Sequence, residues 1–492
     1  MRGTEAIGIS SVERAGIPRL LTGACLLCAV VIGYVLVVNT TMAFGLVVAL
    51  VLFCVTVLRP LALLPAMIIL SLFVEKALRP LTISVGGTEL LNFNGVVNCC
   101  LLAATMFYVA TNRIRPFQSL ITKYFAVYLV LVAFSMLFSV NALLTIRSLV
   151  RISAAYAIYL IITQFVTERR QIDRLLQLFV VISIIPIGVG LYQIVFIHHF
   201  VISRELRLHG TFMNGMSYAM YLALVLPYIF AQIIVGRAGP LKRLFLCGLF
   251  LAGLVDLMYA STRIGWGAFA AALILYALFS NPKKLLPVVL VLLLLSVIVF
   301  FPFIARSFGG YLKTDVRTYM LDDVAWDTHS KDYIAASSLH IRVYVWRHMI
   351  EAMKDRSVLF GAGSGTWFDY YDRKMIGFGL ASHSDYFEVL YGTGLIGLAA
   401  YLVFRIKQLT LLAHFARSGI ERHVKLTVLF PCLATFIACL GMSVTEVWQS
   451  YSGIYWVSWI TFAMSESYYR LYCADESCSL STAARASQSA GD

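Results

Sequence analysis

Charge is what this chain has least of. Only 13% of its 492 residues are Asp, Glu, Lys or Arg, about half the share of an ordinary soluble domain. With 60% hydrophobic residues and a mean hydropathy of +0.84, that scarcity excludes a soluble globular fold, because helices that are apolar all round need lipid or other helices as neighbours. Acidic residues are scarcest, 25 against 39 Lys and Arg. The excess does not indicate nucleic acid: most basic residues fall in short connectors between apolar runs, where they set topology and meet lipid headgroups.

Ten cysteines occur, none in a stretch expected outside the cytoplasm. Eight lie within apolar runs (Cys25, Cys28, Cys54, Cys99, Cys100, Cys247, Cys432 and Cys439), with Cys473 and Cys478 near the end. A disulfide framework is therefore not supported, and Cys25-x-x-Cys28, without a second pair or a nearby histidine, does not read as a zinc site. No H-E-x-x-H, G-x-S-x-G or paired His and carboxylate cluster appears. Asp322, Asp323 and Asp327, with His329 following, have no metal-ligand spacing. We expect chemistry without metal or other cofactor. No internal repeat is evident.

What is present is a succession of apolar runs, each near the length a helix needs to cross a bilayer. They centre on 20–38, 42–57, 61–74, 93–110, 121–139, 145–166, 175–197, 216–235, 243–260, 262–280, 285–304, 384–404, 424–443 and 448–466. The expected fold is an all-α polytopic membrane protein of 12–14 transmembrane helices with one large loop carrying amphipathic helices. Its division is membrane helices at 1–304, a loop at 305–383, C-terminal membrane helices at 384–466 and a disordered tail at 467–492. Arg2, Arg14 and Arg19 before the first run suit an uncleaved signal anchor.

Alternate connectors hold Arg59; Arg113, Arg115 and Lys123; Arg169, Arg170 and Arg174; Arg237, Lys242 and Arg243; Lys283 and Lys284; and Arg405, Lys407, Arg417, Arg422 and Lys425. With those near the termini they are more than half of the 39 basic residues. The positive-inside rule then puts both termini in the cytoplasm and the 306–383 loop outside.

Four stretches place costly groups near that outer face. Arg204-Glu-Leu-Arg207-Leu-His209 precedes the span at 216–235; its arginines alone read as headgroup contacts. Ser261-Thr262-Arg263 opens a helix that either hydroxyl can cap, and Arg263 there either seats an anion or pairs with Asp256. From Ser337 to Phe360, Ile341, Val345, Met349 and Met353 repeat at helical spacing with Trp346 and Ile350 alongside. This reads as an amphipathic helix lying on membrane or bundle, with Arg342 and Arg347 off its apolar stripe. Gly361-Ala-Gly-Ser-Gly365 ends it as a turn; without a preceding strand or a following lysine-bearing helix it is no nucleotide loop. Finally, Ser382 and Asp385 have capping-box spacing, which places His383 in the first turn of the next span, with Glu388 one turn further in. The positive end of the helix dipole keeps such an imidazole neutral and able to accept a proton. The bland alternative is an interfacial histidine meeting headgroups.

In this order the four stretches resemble the O-antigen ligase and polymerase superfamily, the Wzy-type polysaccharide polymerases and WaaL-type ligases. Gly361-x-Gly-x-Gly365 followed by Ser382-His-Ser-Asp-Tyr-Phe-Glu-Val-Leu-Tyr-Gly-Thr-Gly-Leu-Ile-Gly-Leu398 is similar to its G-x-G and H-[NS]-x-[YF]-L…G-L-I-G patterns. Arg207-Leu-His-Gly-Thr-Phe212 resembles its R-x-x-G-T-F stretch and Ser261-Thr-Arg-Ile-Gly265 its S-x-R-G stretch. Gly215 stands where many members have proline, and Ile264 separates Arg263 from its glycine.

The resemblance, which covers about 200–405, implies transfer of a glycan from an undecaprenyl-diphosphate carrier to an acceptor hydroxyl, at the outer face of a bacterial inner membrane. It implies His383 as base, Arg263, Arg342 and Arg207 as diphosphate ligands, and Ser382, Asp385 and Glu388 in support. Expected partners are the lipid-linked glycan and the bilayer, with a chain-length regulator and a flippase. A polymerase of lipid-linked repeat units is the first expectation. A ligase acting on lipid A core or protein, and a transporter or flippase of the same glycan, are the alternatives.

Overall fold

The computed structural model describes residues 60–61, 83–85, 88–91, 93–197, 199, 207–236, 239–299, 338–354, 356–367 and 382–489. The first three expected spans, Arg204 and the cluster Asp322, Asp323, Asp327 and His329 lie outside the described residues.

A short antiparallel hairpin, β1 (Ile83–Val85) and β2 (Thr88–Leu91), leads into the helices. These are α1 (Phe93–Ala110), α2 (Thr122–Phe134), α3 (Ala142–Phe165), α4 (Arg169–Tyr192), α5 (Gly215–Val235), α6 (Pro240–Tyr259), α7 (Arg263–Ser280), α8 (Pro282–Val299), α9 (Ser338–Lys354), α10 (Asp385–Arg417), α11 (Arg422–Met442, with a π turn at Lys425–Leu429) and α12 (Ser452–Ser489). Every span expected from 93–110 onward contains a helix among the described residues, and six of the described helices are long and apolar enough to cross a membrane. This is an all-α polytopic membrane fold.

Local sequence explains where helices start. Asn141 caps α3 by accepting from the amides of Leu143 and Leu144, and Asn214 caps α5 through the amide of Ser217. Glu168 and Gln171 close a capping box on α4, and Pro240 opens α6 where its missing N–H costs nothing. The last helix runs on to Ser489, past 467 where a disordered tail was expected to begin. No glycine or proline interrupts that stretch before Gly491.

α10 departs most from the hydropathy reading. It spans 33 residues in two helical segments that meet at Gly394, rather than 384–404. Arg405, expected in a cytoplasmic connector, is instead 2% exposed within it. Its guanidinium lies 5.0 Å from the ring centre of Tyr401, 5.1 Å from Phe404 and 5.4 Å from Trp448, an aromatic box that offsets some of the cost of burial.

The same helix is broken at Gly394, whose φ of 70° and ψ of −171° suit glycine almost alone. The segment 358–363 fills the break. Amides of Ala362 and Gly363 donate to the carbonyls of Tyr391 and Gly392 at 2.8 and 3.0 Å, and those of Leu395 and Ile396 donate to Val358 and Leu359. Two backbones cross so closely that a Cβ on Gly361 would stand 2.6 Å from the backbone of Thr393, and one on Gly394 would stand 2.2 Å from Leu359. Non-helical backbone inside a membrane bundle survives only where protein satisfies its polar groups, as it does here. The glycine turn is thus a structural key that locks α9 and its following turn onto α10.

Candidate active site

The site is built at the start of α10. Ser384 is the cap: its hydroxyl accepts from the amide of Phe387 at 3.4 Å. This corrects the expected Ser382–Asp385 capping box by two positions. Ser382 instead turns its hydroxyl to the carbonyl of Ser384, and His383 lies outside the helix rather than in its first turn. His383 has φ of 48°, in the left-handed region that only a few per cent of residues other than glycine occupy, Asn, Asp and His among the commonest of them.

Contacts on either side hold that conformation. Trp346 of α9 donates its indole N–H to the carbonyl of Ser382 at 2.7 Å and stacks on Phe387 with ring centres 4.7 Å apart. On the other side, the amide of Asp385 and the hydroxyl of Ser384 both donate to the carbonyl of Ser443, at 3.0 and 3.2 Å. Asp385 is 1% exposed; its carboxyl accepts from the Ser443 hydroxyl at 3.0 Å and the Gln449 amide at 3.4 Å. It therefore ties α10 to the connector between α11 and α12. A backbone strained in this way and held from both sides is characteristic of functional positions.

That connector carries the residue the sequence reading missed. Glu446, its side chain 2% exposed, divides its carboxylate between two partners. Oε1 accepts from Nη2 of Arg342, and Oε2 lies 3.5 Å from Nδ1 of His383. Arg342 also donates from Nε to the carbonyl of Thr445 at 3.0 Å. A carboxylate facing Nδ1 favours the tautomer with its proton on that nitrogen and leaves Nε2 to accept one. The His383 side chain, 24% exposed, remains accessible.

Arg342 thus differs from its expected place off the apolar stripe. Of the expected stripe, Val345, Met349 and Met353 are buried against Ala362, Trp367 and Tyr391, Ile350 beside them is exposed, and the Ile341 side chain lies outside the described residues. Arg342 is nevertheless 8% exposed, because a carboxylate about a hundred positions away meets it at the bundle surface. Arg347 is on the exposed side, paired with Glu351 at 3.3 Å. Glu388 sits one turn into α10, within electrostatic reach of Arg151 on α3.

Arg263 opens α7, and neither neighbouring hydroxyl caps that helix. Ser261 donates back to Tyr259 and Thr262 to Ala260, so neither hydroxyl faces the helix start. Asp256 does not neutralise Arg263; one of its oxygens accepts from the Tyr218 hydroxyl at 2.5 Å. Arg207 is brought to the same end of the bundle by the bond from the Leu208 amide to the Tyr259 carbonyl, 3.3 Å. Packing of Phe279 against Phe430, ring centres 6.2 Å apart, sets the far end of α7 beside the early part of α11. The two helices therefore run antiparallel, and Arg263 shares an end of the bundle with Glu446 and His383.

Residues 247–402 match the O-antigen ligase family. The stretch runs from within α6 to within α10 and holds Arg263, Arg342, Ser382, His383, Asp385 and Glu388. That match supports a resemblance of this segment to the O-antigen ligase and polymerase superfamily. Arg207 precedes the matched stretch and Glu446 follows it, so both come to the superfamily's motif residues only through the fold. No curated protein matches the chain.

The sign of Glu446 was present in the sequence in one respect. It is the single charged residue between the runs 424–443 and 448–466, and a survey of acidic connectors would have met it where a survey of basic ones did not.

Proposed function

We propose that the protein is a membrane glycosyltransferase that joins undecaprenyl-diphosphate-linked oligosaccharide repeat units at the outer face of the inner membrane. The observation that carries this reading is the chain Arg342–Glu446–His383 at the mouth of the bundle. His383 Nε2 takes the proton of an acceptor hydroxyl as its oxygen attacks the anomeric carbon. The bond from that carbon to the carrier phosphate breaks, and the leaving diphosphate takes the electron pair. Glu446 holds the ring and stabilises the imidazolium as it forms. Arg263 and Arg207 meet the growing negative charge on the diphosphate. The proton then passes to water or to the departing diphosphate.

The match of residues 247–402 to the O-antigen ligase family also supports a ligase, which shares this chemistry and differs in its acceptor. The two readings separate in a strain lacking the gene. Loss of a polymerase leaves single lipid-linked repeat units, and loss of a ligase leaves long unattached polymer. A transporter of the same glycan has no use for an imidazole held by a buried carboxylate; uptake into vesicles without covalent change would nonetheless favour it. Turnover in EDTA tests the metal-independent reading, and a loss restored by magnesium would overturn it.

A further inference from the structure

A second site lies at the opposite end of the bundle from His383. There the starts of α4, α6 and α11 spread around Tyr468 of α12 and leave a cavity of about 480 Å³, within the range of clefts that hold small ligands. One side of it is tied shut. The Tyr468 hydroxyl donates to Asp173 at 2.6 Å, and Arg169 pairs with Glu421 at 3.4 Å. Among the described residues the α6 side carries no such tie, which leaves the cleft open beside α6.

Its wall changes character with depth. Leu176 and Leu246 line the cavity and are buried, whereas Val181 and Phe245 line it and are 57% and 50% exposed. On a membrane helix that exposure faces lipid, so the cleft opens sideways into the hydrocarbon. Charge at the mouth is uneven. Both acids on its lining have partners, Asp173 in Tyr468 and Glu421 in Arg169. Lys242 lines the same mouth and makes no ion pair or hydrogen bond among the described residues. Arg243 and Arg422 lie one position from lining residues and add to the positive field.

We infer that this cleft binds an anionic phospholipid, its phosphate at Lys242 and one acyl chain along Val181 and Phe245. The apolar wall takes the chain, and a lysine without a counter-ion among the described residues takes the headgroup charge. A basic cleft between transmembrane helices, near a membrane surface, has the chemistry such lipids recognise. The π turn in α11 contributes to the fit, since Thr427 within it and Val424 before it line the cavity. This site stands apart from the glycan-transfer chemistry and does not depend on it.

The test is native mass spectrometry of the full chain in detergent, with equimolar phosphatidylglycerol and phosphatidylcholine. One headgroup contact to a lysine predicts about a fivefold preference for phosphatidylglycerol. Lys242→Glu should remove that preference, and the milder Lys242→Gln should reduce it; Lys242 is exposed, so neither disturbs packing. Val181→Trp, narrowing the apolar mouth, should lower retention of both lipids. Inorganic phosphate at millimolar concentration should not displace phosphatidylglycerol. Equal retention of the two lipids by the unaltered protein, an unchanged preference in both Lys242 variants, or displacement by phosphate alone would overturn the assignment.

Discussion

Nδ1 of His383 and Oε2 of Glu446 face each other at 3.5 Å across 63 positions of sequence. The two residues come from different helix ends, joined because Asp385 and Ser384 fasten the start of α10 to Ser443. Glu446→Gln keeps the size and offers an amide N–H to the ring, which drives the proton to Nε2 and removes the acceptor. Glycan transfer by the purified variant should fall roughly a hundredfold or more in kcat, with little change in the KM for the lipid-linked donor.

Arg342→Ala should act first on stability. It leaves the Glu446 carboxylate inside the bundle with a main partner gone, which typically costs about 3–5 kcal/mol. The double variant Arg342→Ala/Glu446→Ala should recover a large part of that loss, so denaturation midpoints of the four proteins give a coupling above about 1 kcal/mol. Additive losses would show the pair to be independent. A donor KM raised in Arg342→Lys without loss of stability would favour a direct diphosphate contact.

Arg263→Ala, by contrast, should leave folding intact and weaken donor binding. A charge-assisted contact is worth about 1.5–3 kcal/mol, so KM for the diphosphate-linked donor should rise about tenfold or more, and a smaller rise is expected for Arg207→Ala. Unchanged donor KM in both variants would remove these arginines from the site.

Much of this arrangement was legible in the sequence. Hydropathy located the described spans, since a bilayer demands apolar runs of nearly fixed length. The motif around His383 marked the residue proposed as base, and spacing marked the stripe of Val345, Met349 and Met353. The failures have a common physical cause. Arg342 sits off that stripe by periodicity, yet it is buried because its partner Glu446 arrives from another helix end. Arg405 looks like a span boundary by charge, but aromatic rings from α10, the connector and α12 surround it. Ser384 rather than Ser382 caps α10, a choice that two nearby serines leave to tertiary contacts with Ser443. The break at Gly394 lies within a uniform apolar run, and only the crossing segment 358–363 reveals it.

That crossing yields its own prediction. Gly394→Ala and Gly361→Ala each add a methyl group where backbone stands 2.2 and 2.6 Å away, at φ of 70° and 75°. Strain and overpacking together should cost roughly 2–5 kcal/mol, read as a lowered melting temperature and reduced yield of folded protein. Gly267→Ala, with nothing within 4 Å of its added methyl, is the matched control and should be near neutral.

Single-turnover glycan transfer by His383→Ala in reconstituted membranes, from an undecaprenyl-diphosphate-linked donor, tests the central claim most directly. The account predicts donor binding close to that of the unaltered protein and no detectable transfer, with normal expression and folding. Transfer at the unaltered rate would contradict it.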